Sequence, residues 1–317
     1  MIRKFRIIFY IILVLLILTS CQSGYNEIKL QSGKIAFISS RNNKLEIFIA
    51  DEYGNNVKKI MDTDNHITNF SISPDRRYLI LNEAKKKNNR LNGVGLYLLN
   101  LESGTKRLID EGGSHPAWSP NGKRFVYERS TPDGGFVVVN DPLLNNEKVL
   151  FNSGDYIIPV GCSWSPDGSE LLLMHYASMS DGRFLKVYNI EEDRFREIKL
   201  DLSKGVFNAE WSPIGHIIAA GLNSPTREKN EIILIDADTR KITHLTTIEN
   251  ALHYSLSWSP DGKKILYHAI YKPQNEFQGT WPRSDDNMDV YLYDIGNNET
   301  RNISNSDSTD IHPQWIP

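Results

Sequence analysis

Trp164-Ser165-Pro166-Asp167-Gly168 returns as Trp258-Ser259-Pro260-Asp261-Gly262, as Trp118-Ser119-Pro120-Asn121-Gly122 and as Trp211-Ser212-Pro213-Ile214-Gly215. A worn copy, Ile72-Ser73-Pro74-Asp75-Arg76, precedes them, and a truncated one, Trp315-Ile316-Pro317, follows. The prolines stand at 74, 120, 166, 213, 260 and 317, in steps of 46, 46, 47, 47 and 57. A period of this size built from short strands marks a repeat architecture. Each phrase is a turn with a mechanism: proline presets φ, Asp or Asn bonds the local backbone, and Gly takes the φ > 0 position.

The phrase joins two strands. Before it stands a short apolar run such as Cys162-Ser163-Trp164, strand A; after it comes strand B, as in Lys264-Ile265-Leu266-Tyr267-His268. A second signature follows, strand C closing on Asp or Asn: Ile47–Asp51, Leu96–Asn100, Val137–Asn140, Val187–Asn189, Ile232–Asp236 and Val290–Asp294. A weaker strand D comes next, for example Lys241–Thr246. Four strands per repeat of about 45 residues predict an all-β protein, a six-bladed β-propeller of four-stranded blades. Five blades are continuous in sequence. The sixth is split: residues 34–60 supply strands B, C and D, and His312-Pro313-Gln314-Trp315 supplies strand A. Pairing this C-terminal strand with the N-terminal blade closes the ring and removes exposed sheet edges.

These repeats resemble those of the TolB family, also called WD40-like or PD40 repeats, over residues 33–317. The resemblance implies the propeller fold and an envelope protein. TolB also has an N-terminal α/β domain, for which about a dozen residues after Cys21 leave no space. Similar propellers precede serine peptidase domains, but the sequence carries no Gly-x-Ser-x-Gly elbow.

Residues 1–20 read as a lipoprotein signal peptide. Arg3, Lys4 and Arg6 form its positive region, Ile7 to Leu18 its apolar run, and Leu18-Thr19-Ser20-Cys21 resembles a lipobox with Cys21 as the lipidated residue. Residues 21–32 become a lipidated tether and 33–317 the propeller. The protein is then extracytoplasmic and anchored to the bacterial membrane through lipid on Cys21. Removing three cationic residues takes the formal charge from −3 to −6, which argues against nucleic acid as a partner. Cys162 remains as a lone thiol on an inner strand, expected buried and inert. Composition, 40% hydrophobic and 24% charged, is that of an ordinary globular domain. The chain is expected to be monomeric and no cofactor is indicated.

Up-and-down strands put the uniform A–B turns and the C–D turns on one face, and the variable B–C and D–A loops on the other. Loops on a rigid scaffold are where binding groups sit. Two features of that face are candidate partner sites. The residue three before each Trp, or before Ile72, is expected at the start of an inner strand near the channel mouth: Asn69, His115, Gly161, Asn208, Ser255 and His312. The last repeat also carries ten extra residues, which offer Phe277, Trp281, Arg283, Asp285 and Asp286 for contact with carbohydrate, peptide or protein. The run Lys85–Arg90 is expected to be a B–C loop able to meet anionic polymer or headgroups.

Two functions follow as expectations. One is a membrane-anchored binding or scaffold module whose partner is an envelope protein or cell-surface polymer. The alternative is a metal-assisted polysaccharide lyase or hydrolase at the channel mouth. The latter leans on the resemblance to oligogalacturonate lyase propellers, with His115 and His312, supplemented by His175 and His253, as metal ligands; no metal set is assigned.

Overall fold

The computed structural model describes residues 27–317 apart from 89, 155–161, 177–182, 199–204, 224–228, 250 and 272–286. Blade 1 consists of β1 (Ile35–Ser39), β2 (Glu46–Ala50) and β3 (Lys58–Lys59), with the last strand of the chain, β24 (Asp310–Trp315), as its inner member. Blade 2 contains β4 (His66–Ile72), β5 (Tyr78–Lys87), β6 (Arg90–Asn100) and β7 (Lys106–Asp110). Blade 3 contains β8 (Gly113–Trp118), β9 (Phe125–Thr131), β10 (Gly134–Asn140) and β11 (Lys148–Gly154). Blade 4 contains β12 (Cys162–Trp164), β13 (Glu170–Tyr176), β14 (Arg183–Asn189) and β15 (Arg194–Ile198). Blade 5 contains β16 (Gly205–Trp211), β17 (Ile217–Asn223), β18 (Lys229–Asp236) and β19 (Ile242–Glu249). Blade 6 contains β20 (Ala251–Trp258), β21 (Lys264–Tyr271), β22 (Asp289–Asp294) and β23 (Glu299–Asn302). All pairing within blades is antiparallel, and β24 pairs with β1, Trp315 opposite Ile35. The expected six-bladed ring is therefore the fold.

The repeated turn is built as its residues dictate. Gly122, Gly168 and Gly262 donate their N–H to the carbonyl of the turn serine three residues back at 2.8–2.9 Å, each at φ of 66–74°. That serine's Oγ accepts from the first residues of strand B, as Glu170 N–H does to Ser165 at 2.9 Å. The Asp167 carboxylate accepts from Ser165 Oγ and the Ser169 N–H, which holds its pKa below the usual value.

Successive residues of each strand point to opposite faces of a blade, hence into opposite seams. Ala36 and Ile38 pack in the seam with blade 2, while Ile35 and Phe37 pack in the seam with blade 6. Six apolar clusters fill the six seams. Each repeat tryptophan packs toward the preceding blade. Trp118 Nε1 donates to Ser71 O at 3.3 Å, Trp164 Nε1 to Ala117 O at 3.1 Å and Trp258 Nε1 to Glu210 O at 3.2 Å. The tryptophans are thus rivets between blades. Segment 27–34 runs along the same assembly: Ile28 N–H donates to Leu101 O, and Leu30 is buried in the seam of blades 1 and 2.

One expectation is corrected. Lys85–Lys87 and Arg90 do not form a loop; they are strand residues at the tip of the long β5–β6 hairpin, with Lys87 paired to Arg90. Cross-strand pairing runs on to the tip of the hairpin, past a shift of register between Glu83 and Ala84.

Candidate functional site: the channel and its inner strands

The five described residues of the predicted ring, Asn69, His115, Asn208, Ser255 and His312, all line one central cavity of about 810 Å³. The repeat prolines Pro74, Pro120, Pro166, Pro213, Pro260 and Pro317 line its other end. The ring residues do not start their strands. Those strands begin two to four residues earlier, and the ring position falls on a break in register. His115, Ser255 and His312 sit in the bulge itself at φ of 48°, 43° and 50°, the left-handed region. Asn69 and Asn208 stand just after a bulge at 68 and 207, back in register with Asn82 and Gly221. A bulge kinks the innermost strand and re-aims a side chain. For a non-glycine residue the left-handed region costs on the order of 1 kcal/mol.

His115 Nδ1 lies 3.1 Å from Glu128 Oε2. Burial works against its protonation, but the Glu128 hydrogen bond and charge outweigh it and raise the His115 pKa. His312 goes the other way: burial, with the His115 charge adding, pushes it down to about 4. Neutral His312 shares a 3.1 Å hydrogen bond between Nδ1 and Ser255 Oγ, and its backbone N–H donates to His268 Nδ1 at 3.3 Å. Burial raises the Cys162 thiol well above its ordinary value, as expected for an inert position. Among the described residues, no group of three or more His, Cys, Asp or Glu could hold a metal ion.

Blade 5 adds two features. Asn208 Oδ1 and Nδ2 are buried with no hydrogen-bond partner, and so is Glu210 Oε2. Asn208 and Glu210 are two apart on β16 and face the same way, opposite Gly221 and Ala219 on β17. Burial drives the Glu210 pKa up to about 8. Sequence reasoning passed over Glu210. The signal was present: the residue before each Trp, or before Ile72, reads Ser71, Ala117, Ser163, Glu210, Ser257 and Gln314, small except in blades 5 and 1.

Cys21 and the blade 6 residues Phe277, Trp281, Arg283, Asp285 and Asp286 lie outside the described residues. Backbone positions of His175 and His253 are in β13 and β20.

The fold is a six-bladed propeller around an axial cavity, and solved propellers share the fold. TolB from Acinetobacter baumannii superposes with a TM-score of 0.71 at 18% identity, over 95% of this chain and 70% of that one. A putative TolB from Agrobacterium tumefaciens gives 0.63 at 15% identity, over 91% and 100%. An oligogalacturonate lyase in complex with manganese gives 0.56 at 13% identity, over 85% and 73%. No protein-family model matches the chain, and no curated protein is similar to it. The likeness establishes the TolB-type propeller fold.

Proposed function

We propose that the chain is a membrane-anchored, extracytoplasmic binding module that engages a partner through the B–C and D–A loop face of its propeller. One observation carries this reading: on that face, three inner strands hold His115, Ser255 and His312 in left-handed bulges around a single cavity. Backbone held off its minimum by surrounding structure clusters at ligand sites. The leader and Cys21 supply the anchor, and the resemblance to TolB supplies the envelope setting. The partner is an envelope protein or a cell-surface polymer. The alternative, metal-assisted cleavage of polysaccharide, needs a ligand set that the described residues do not assemble.

The test is crosslinking of the full-length protein in cells, followed by purification and identification of what accompanies it. A reproducible envelope protein or polymer, reduced at least tenfold by combined His312→Ala and Trp281→Ala, supports the reading. Capture unchanged by those substitutions removes this face as the working one. A stoichiometric divalent metal with glycan cleavage would put the lyase in its place.

A further inference from the structure

The channel wall at blade 5 has a chemistry that the other blades lack. Across the cavity lining, Glu210 is the one carboxyl group among the described residues, and no Lys, Arg or Asp lines it. The other titratable groups there are His115, His268, His312 and the Cys162 thiol. His115 has its own carboxylate in Glu128, and His312 is engaged with Ser255. Glu210 Oε2 and both polar atoms of Asn208 have neither a protein partner nor solvent. Asn208 and Glu210, two apart on one strand and facing the same way, bring this unpaired polarity to the wall of a cavity whose other lining residues include Trp211, Leu256 and Trp258.

We infer that the blade 5 wall of the channel is a binding site for an organic cation with a primary ammonium group, held between Glu210 and Asn208, its apolar stem lying along the tryptophans. An ammonium has three donors and no acceptor, which matches the carboxylate of Glu210 and the amide oxygen of Asn208 and leaves one donor for a backbone carbonyl or water. An anionic ligand would keep the carboxyl protonated and gain no charge pairing from it. A neutral polyol would bond Asn208 but leave the buried carboxyl without the opposite charge that stabilises its ionised form. A cavity of about 810 Å³ is in the range that takes a small organic molecule. Binding is linked to protons. With its pKa near 8 the empty site is protonated at neutral pH, and the incoming cation displaces that proton. Affinity therefore rises with pH between 6 and 8. Loss of the His115 charge acts in the same direction, so the slope that persists without the Glu210 carboxyl is subtracted.

This site does not depend on a macromolecular partner, so loss of partner capture and loss of amine binding are separate results. The experiment is isothermal titration calorimetry of the full-length chain in neutral detergent, with cadaverine as probe and 1,5-pentanediol as its neutral counterpart, in phosphate and in Tris at pH 7. Cadaverine is expected to bind at one site, the diol at least tenfold more weakly. The heat should differ between buffers by the release of up to one proton per site. Glu210→Gln should weaken cadaverine at least tenfold and abolish the buffer difference. Asn208→Ala, which keeps the carboxyl, should weaken it severalfold and carries the test if the first variant does not fold. Equal binding of amine and diol, no binding of cadaverine, or unchanged affinity in either folded variant overturns the assignment.

Discussion

Blades 1 and 5 place a long polar residue at the same point of the inner strand, and only one of them uses it to close a seam. Gln314 stands opposite Ala36 and Glu210 opposite Ala219, a small partner making room for a large neighbour in each case. Gln314 Nε2 reaches into blade 2 and donates to Phe70 O at 2.9 Å. Glu210 faces blade 6 across the equivalent seam, where its Oε2 finds nothing. The two side chains have nearly the same shape; the amide always brings a donor, the carboxyl only while it is protonated. Blade 4 shows the economical solution, with Ser163 Oγ accepting the Trp211 N–H at 2.9 Å. An ionised carboxyl at this position therefore lowers stability.

The comparison breaks most sharply under pH. The Glu210 pKa is about 8 in the folded protein and 4.5 for a free glutamate side chain, so between these values the folded state holds a proton that the unfolded state has lost. Stability should fall as pH rises through that interval and level off above it, by up to about 4–5 kcal/mol. Urea denaturation at pH 5 and pH 8 should show this fall in the parent and its loss in Glu210→Gln, which becomes the more stable protein at pH 8. The converse swap, Gln314→Glu, sets a carboxyl against the Phe70 carbonyl and should cost about 2–3 kcal/mol at pH 8. An unchanged denaturation midpoint would show that the seam bond contributes nothing.

A smaller effect separates the rivets. Trp164 Nε1 has its carbonyl partner in blade 3, whereas Trp211 Nε1 has none. Both Trp→Phe substitutions lose the same volume, but Trp164→Phe should be the costlier by about 1 kcal/mol. The smallest difference lies in the turns. A Cβ at Gly215 meets nothing, while one at Gly262 comes within 2.5 Å of the Ile214 side chain; both glycines have φ near +67°. Each Gly→Ala change should cost about 1 kcal/mol for backbone conformation, with a few tenths more at Gly262. That excess should vanish in an Ile214→Ala background, measured as a double-mutant cycle.

Much of this architecture was legible before any coordinates. The turn phrase fixes its own hydrogen bonds, strand C announces itself by its closing Asp or Asn, and the lone terminal strand demanded a partner. The column of ring residues falls on one cavity, as their shared place in the repeat implies. The bulges were not legible, because left-handed backbone at His115, Ser255 and His312 involves no glycine. Asn208 was read by its place in the repeat and Glu210 was missed for the same reason: the comparison ran along one column, and the informative departure stood in the next. The β5–β6 hairpin tip was misread because a run of Lys and Asn looks like a loop, although cross-strand pairing reaches Lys87 and Arg90.

The pairing of β1 with β24 imposes an order of events in time. Ile35 is made 280 residues before its partner Trp315 (315 minus 35), so blade 1 lacks its inner strand while the five intervening blades are made. During that interval β1 offers a bare edge to any other chain, and blade 2 lacks the neighbour that Gln314 ties to it. The rising entropy of so long a loop slows the final contact far more than it weakens it. A chain delivered across a membrane N-terminus first would thus cross as an open arc and become a ring only when β24 arrived.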